Sequence, residues 1–170
     1  MNPNSRPFRI NIGFLVNQPI GAIREFPFEF KSFTFEDDFT VWNLTGKLSL
    51  ARTMNGIRAL ADFSADTDAE CGRCVEPFKE SLHTEFEEIF TFENRPLSEE
   101  EETIREDGNI DFEALIREYL ILSLPIKPVC SPDCKGLCII CGQNLNEQDC
   151  GHSQMADVEE NDPIDIDLSQ

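Results

Sequence analysis

Along its first ninety residues the chain alternates apolar and polar positions with a period of two, the repeat at which a strand sends successive side chains to opposite faces. Phe8, Ile10, Ile12, Phe14 and Val16 alternate with Arg9, Asn11 and Gly13, with one lapse at Leu15. Phe26, Phe28 and Phe30 continue the pattern. Phe33 and Phe35 resume it out of phase, which predicts a bulge or turn near Lys31-Ser32. Trp42, Leu44, Leu48 and Leu50 face one way, and Thr45, Lys47 and Ser49 the other. Asn55-Gly56 is a type I′ hairpin signal, and it leads into Ile57, Ala59, Ala61, Phe63 and Ala65 on one face. Phe78, Leu82, Phe86 and Phe90 repeat every four residues, as a helix would allow, but Thr84 and Phe92 tip 78–92 toward a strand.

The pattern then changes. Arg95 to Gly108 reads as a loop with the run Glu99–Glu102 solvated inside it. One main helix is predicted near 112–123, with Asp111 as N-cap and an apolar stripe of Phe112, Leu115, Ile116, Tyr119 and Leu122. Pro125 and Pro128 stop it. The fold class is therefore α+β: mostly antiparallel β-sheet that could close as a small barrel, one main helix, and a C-terminal cysteine-rich zinc knuckle. The expected organisation is a β-rich domain over 1–128, a cysteine-rich zinc-binding segment over 129–152 packed on it, and an acidic flexible tail over 153–170.

Charge narrows the functions available. Fourteen Lys+Arg against 33 Asp+Glu leave −19 on 170 residues. That balance argues against coating DNA or RNA by counterion release and against an anionic membrane surface. The acid is uneven: residues 1–84 carry nine basic and eleven acidic groups, whereas residues 85–170 carry five and 22. Arg52, Arg58, Arg73 and Lys79 could form a local basic surface in the nearly neutral half, although ordinary solvated strand faces account for them as well. No apolar run reaches the roughly 18 residues a membrane span needs. The start, MNPNSRPFRINIGF, lacks a basic stretch followed by an apolar one, so a soluble cytoplasmic protein is expected.

Seven cysteines, at 71, 74, 130, 134, 138, 141 and 150, supply the chemistry. An odd, clustered set makes a poor disulfide framework and reads better as metal ligands. In Cys71-Gly72-Arg73-Cys74 two intervening residues let both sulfurs face one tetrahedral ion, with Gly72 easing the bend. With His152 there are eight donors, enough for two tetrahedral sites. The preferred scheme puts Cys71, Cys74, Cys130 and Cys134 in a first site that staples the sheet to the segment after the helix. Cys138, Cys141, Cys150 and His152 form the second. A rival scheme gathers Cys134, Cys138, Cys141 and Cys150 on one ion. Zinc, as one or two ions, is favoured over iron for thiolate-rich structural sites.

Closed structural sites compete with two catalytic readings. Catalytic zinc keeps an open position beside a base, and the one other histidine, His83, falls on the polar face of a strand. A thiol-redox Cys71/Cys74 pair would want an exposed CxxC at a helix N-terminus. No phosphate loop, dinucleotide fingerprint, nucleophile elbow or HExxH pattern is present. No catalytic residue is assigned, and a thiol-redox or zinc-dependent enzyme at Cys71/Cys74 stands as the alternative.

CGRCVEPF at 71–78 and LPIKPVCSPDCKGLCIICGQNLNE at 124–147, behind a strand-rich half and a helix, resemble the YceD family of large ribosomal RNA subunit accumulation proteins of bacteria and plastids. The resemblance implies a non-enzymatic role in accumulation or processing of large-subunit ribosomal RNA and in ribosome assembly. It also implies a gene often beside that of a small zinc-ribbon protein of the large subunit. The implied partners are a large-subunit ribosomal protein, large-subunit ribosomal RNA or its precursor, with no membrane and no DNA. It carries the first ligand pair to Cys71 and Cys74 and the second to Cys130 and Cys134. Some members have histidine where Cys130 stands and lack the later cysteines, which makes Cys138, Cys141, Cys150 and His152 a subgroup addition. Other members tend to end in a basic helical segment, whereas here Asp162-Pro163 leads into IDIDLSQ.

Overall fold

The longest strands carry the cleanest alternation. Residues 6–92, 102–104 and 107–152 are described by a computed structural model. Its elements are β1 (Arg9–Asn11), α1 (Gly13–Val16), β2 (Ile23–Thr34), a 3-10 turn (Glu36–Asp38), β3 (Thr40–Arg52), β4 (Gly56–Glu70), β5 (Pro77–Phe92), β6 (Glu102–Ile104), β7 (Asn109–Asp111) and α2 (Glu113–Leu122). The chain divides into two units, Met1–Asp68 with Lys79–Ile126, and Ala69–Phe78 with Lys127–Gln170.

The first unit is built on a sheet in the order β2-β3-β4-β5-β6, with β1 and β7 paired as a separate antiparallel ribbon. The sheet is open, which corrects the barrel expectation. Its last strand, β6, has three residues and pairs parallel to the end of β5, Phe90 opposite Glu102, so no full-length strand remains to meet β2. β6 also lies inside the stretch expected to be loop; residues 93–101 and 105–106 fall outside the described ones, as does 153–170.

Phe8 anchors the apolar face. It is fully buried, with the rings of Phe28, Phe33, Phe30 and Phe63 at 5.0, 5.1, 5.7 and 6.3 Å. Full burial of a phenylalanine stabilises by roughly 1.5–3 kcal/mol. After Ile12 the buried position is Leu15, three residues on, while Phe14 is exposed. The expected strand over 8–16 therefore ends at Asn11, and a short second helix follows. α2 docks through Phe112 against Phe90 at 5.3 Å and through Tyr119, stacked on Phe86 at 4.3 Å. Its buried face runs Phe112, Ile116, Leu120 at a spacing of four, so Leu120 replaces the expected Leu122, which is exposed. The N-cap is Phe112; Asp111 accepts the Glu113 N–H at 3.2 Å from one position further out.

Two irregularities lie elsewhere than expected. β2 pairs with β3 in unbroken register from Ile23 to Thr34, and the bulge falls on β3 against β4, between Trp42 and Thr45. Asn43, at φ 52°, is its left-handed residue. The extra residue puts Val41, not Trp42, in line with Leu44 in the core, and Trp42 carries the Lys79 ammonium 3.2 Å from its ring centre. The β3–β4 hairpin uses a longer loop than a type I′ turn, since neither Asn55 nor Gly56 has positive φ. Gly56 is required for space: a Cβ there would lie 1.9 Å from the Phe90 carbonyl oxygen.

The second unit has almost no regular structure beyond the ends of β4 and β5 and a Leu137–Asn144 bridge. Its buried cluster is Cys71, Cys74 and Cys134, with Phe78, Val129 and Leu137 against them. Three sulfurs and three half-buried side chains are a meagre core. Segments this small depend on a metal or cross-links for stability.

Candidate metal centre

Two tight turns organise the cysteines, and they share one backbone plan. In the first, the Cys71 N–H donates to the Glu76 carbonyl at 3.0 Å and the Val75 N–H to the Cys71 carbonyl at 2.9 Å. In the second, the Cys138 N–H donates to the Gln143 carbonyl and the Gly142 N–H to the Cys138 carbonyl, both at 2.8 Å. The residue after the second cysteine is left-handed in each, Val75 at φ 61° and Gly142 at φ 73°. The bend in the first turn thus falls on Val75. Gly72 serves another purpose, donating its N–H to the Pro128 carbonyl at 2.8 Å.

That contact draws the segment after α2 to the first turn. Arg73 continues it: its carbonyl accepts the Leu137 N–H at 3.0 Å and its guanidinium donates to the Cys134 carbonyl at 3.0 Å. Gly136, at φ 77°, permits the approach, because a Cβ there would sit 3.0 Å from the Arg73 carbonyl oxygen. The ligand atoms of Cys71, Cys74, Cys130 and Cys134 come within 4.8 Å of one another. The Cys71–Cys134 and Cys74–Cys130 sulfur separations are 3.8 and 3.7 Å. Thiolates about 2.3 Å from a central zinc would stand about 3.8 Å apart in a regular tetrahedron. These are opposite edges of such a tetrahedron, so the donor set fits that ion.

Cys138, Cys141, Cys150 and His152 form a second group within the same 4.8 Å limit. Cys138 Sγ lies 3.9 Å from His152 Nδ1, slightly beyond the roughly 3.6 Å of an ideal zinc pair. Cys134 sits with the first group and not among Cys138, Cys141 and Cys150, as the rival pairing would have it. All seven cysteines are unbridged.

Backbone donors lower one thiol strongly in each centre. The N–H groups of Cys130 and Cys74 pull the Cys71 thiol down to about 6, and those of Cys141 and Ile140 do the same for Cys138. Desolvation among its neighbours, then the sulfurs of Cys71 and Cys74, push Cys130 up to about 12. Such a set holds protons that a divalent ion would displace.

Sequence reasoning missed Asn146. Its Nδ2 donates to Cys134 Sγ at 3.4 Å while its Oδ1 accepts the Lys135 N–H at 2.7 Å. It lies between Cys141 and Cys150 in sequence yet serves the first centre, and this bond lowers the Cys134 thiol. Only the polar run Gln143-Asn144-Leu145-Asn146 hinted at it.

Other candidates are placed less suggestively. His83 is exposed, as expected, shares a hydrogen bond with Ser64 at 3.1 Å, and clusters with Asp62 and Glu85 on the polar sheet face. The four cations of the candidate basic surface are all engaged. Arg58 pairs with Glu87 at 2.6 Å and Lys79 with Asp68. Arg52 donates to the Val16 and Gly56 carbonyls, and Arg73 belongs to the first turn.

An open, mostly antiparallel sheet in one unit and a cysteine-rich second unit define a small β-rich protein with two candidate metal centres. The family model described as large ribosomal RNA subunit accumulation protein YceD matches residues 61–166, which include both centres. The chain belongs to that family. An uncharacterized protein of Mycobacterium tuberculosis is 34% identical over 105 residues, covering 58% of this chain and 49% of its own. The large ribosomal RNA subunit accumulation protein YCED homolog 1, chloroplastic, of Zea mays is 48% identical over 40 residues, covering 24% and 14%. The protein of that name from Arabidopsis thaliana is 28% identical over 116 residues, covering 49% and 36%. The chain spans about half the length of the mycobacterial relatives it matches and less of the plant ones. No solved structure matches. Among the described residues no helix is long and apolar enough to cross a membrane.

Proposed function

We propose that this chain is a non-enzymatic factor supporting the accumulation of large-subunit ribosomal RNA, held in shape by two zinc ions and acting through contact with a basic ribosomal protein. The observation that carries the reading is the family match across 61–166, which spans all eight candidate ligands. Cys71, Cys74, Cys130 and Cys134 would hold one ion, and Cys138, Cys141, Cys150 and His152 the other. Each ion would supply cross-linking of chain segments, which is folding energy for a unit with so small a core.

Charge supports a protein contact over direct RNA binding. A chain at −19 repels phosphate and attracts a cationic polypeptide, raising encounter rate and holding it soluble. Arg52, Arg58, Arg73 and Lys79 each make contacts within the chain, which offset part of their attraction for phosphate. The oxidoreductase or hydrolase alternative needs an accessible nucleophile or an open metal position. Cys71 and Cys74 are 1% and 3% exposed within a complete four-thiol set. The cytoplasm, which keeps thiols reduced and holds ribosomes, is a compartment that suits this reading.

Depleting the protein and measuring the ratio of large- to small-subunit ribosomal RNA tests the function. The ratio should fall, recover with the wild-type chain, and fail to recover with Cys71→Ser/Cys74→Ser. An unchanged ratio after depletion contradicts the proposal.

A further inference from the structure

The two cysteine turns match position by position, from Cys71–Glu76 onto Cys138–Gln143, yet only one has its outer side covered. In the first turn the residue after the leading cysteine, Gly72, gives its N–H to the carbonyl of Pro128, and the next residue, Arg73, takes the Leu137 N–H on its carbonyl. Two separate stretches of the chain's own segment 127–137, at Pro128 and at Leu137, thus cover that turn, with a turn at Ser131–Cys134 between them. The equivalent positions in the second turn are Ile139 and Ile140. Among the described residues the Ile139 N–H and the Ile140 carbonyl have no hydrogen-bond partner. The side chains are 91% and 55% exposed.

A donor and an acceptor in the same geometry, flanked by two exposed isoleucines, form a place for backbone pairing and apolar contact at once. From this geometry we infer that the outer side of the Cys138–Gln143 turn docks a segment of a lysine- and arginine-rich protein partner. A partner carbonyl takes the Ile139 N–H, a partner N–H meets the Ile140 carbonyl, and apolar partner side chains cover the two isoleucines. The internal precedent supplies the backbone mode. Charge supplies the partner's sign: residues 127–170 hold nine Asp and Glu against Lys127 and Lys135 alone. The inference rests on the proposed protein contact and names the surface that makes it.

Large-subunit ribosomal proteins, stripped of RNA and pooled, are the probe. The zinc-loaded full chain should retain one or a few of the basic proteins. The double variant Ile139→Ser/Ile140→Ser, which keeps all eight ligands, should hold them at least tenfold more weakly, as expected when two central apolar anchors are lost. Its zinc content should equal that of the wild type, which shows that the turn is intact. Equal binding by the double variant overturns the docking site and leaves the protein contact standing. No retention by the wild type overturns the contact itself, and the docking site with it. Two further outcomes would also overturn the inference. One is a concentration-dependent dimer that the double variant abolishes, which makes a second copy the occupant. The other is amide protection of Ile139 in the free full chain that removal of residues 153–170 abolishes, which makes the chain's own end the occupant.

Discussion

The first and second cysteine turns of this protein have the same hydrogen bonds and the same left-handed residue, but one is buried in its own chain and the other is open. In the first, three of four candidate ligands are buried, and Gly72 and Arg73 bind the segment 127–137. In the second, Cys138 alone is buried and Cys141 is exposed. The lesson is that a CxxC turn fixes only the placement of two sulfurs. What the intervening residues touch decides whether the centre is an internal staple or a surface feature. The residue that follows differs too. Gly142 adopts φ 73° freely, while Val75 at φ 61° is held where β-branched residues are rarely found.

Removing zinc is the harshest way to break the comparison. Structural zinc contributes on the order of 10 kcal/mol to units of this kind. A strong chelator should therefore unfold both turns, with amide exchange of Cys71–Glu76 and Cys138–Gln143 rising to unprotected rates while the Leu48, Leu50 and Phe63 amides stay protected. Retained protection at both turns after complete chelation would contradict the zinc account.

Single-ligand variants separate the centres. Cys74→Ser and Cys141→Ser should each lower zinc by one ion per chain. The first should also free 127–137, because the turn it breaks holds that segment; the second should leave the Gly72 and Leu137 amides protected. Native mass spectrometry and amide exchange on the same samples would check both.

Exchanging the left-handed residues is gentler. Gly142→Val forces a β-branched side chain into the left-handed region and should cost about 1–2 kcal/mol. Val75→Gly relieves that strain and should be neutral or stabilising by up to about 1 kcal/mol. Chelator-induced unfolding midpoints would read both, lowered for Gly142→Val and unchanged or raised for Val75→Gly.

The smallest effect is expected from Asn146→Ala, which removes one N–H···S bond worth about 0.5–1.5 kcal/mol. Cobalt bound at the first centre should show altered sulfur-to-metal charge-transfer absorption, with the second centre unchanged. Identical spectra would mean that Asn146 does not reach the Cys134 sulfur.

These contrasts show where residue patterns speak and where they do not. Alternation in 57–65 was readable because each apolar residue there meets the same core. It misled at Phe14 and Trp42, because a helical turn and a one-residue bulge each shift phase by one, and neither leaves a composition signal. Cysteine spacing announced both turns. Nothing in it distinguished Gly72 from Ile139, since that difference depends on Pro128 and Leu137, 56 and 65 residues further along the chain than Gly72. The open sheet was hidden for a related reason: closure depends on β6, three residues inside a stretch that reads as solvated loop.

Zinc K-edge X-ray absorption with metal quantification on the full chain tests the central claim most directly. The account predicts two zinc ions per chain, with an average first shell of seven sulfurs to one nitrogen over the two sites and zinc–sulfur distances near about 2.3 Å. One ion with an all-sulfur shell, or a folded second unit with no metal, would contradict it.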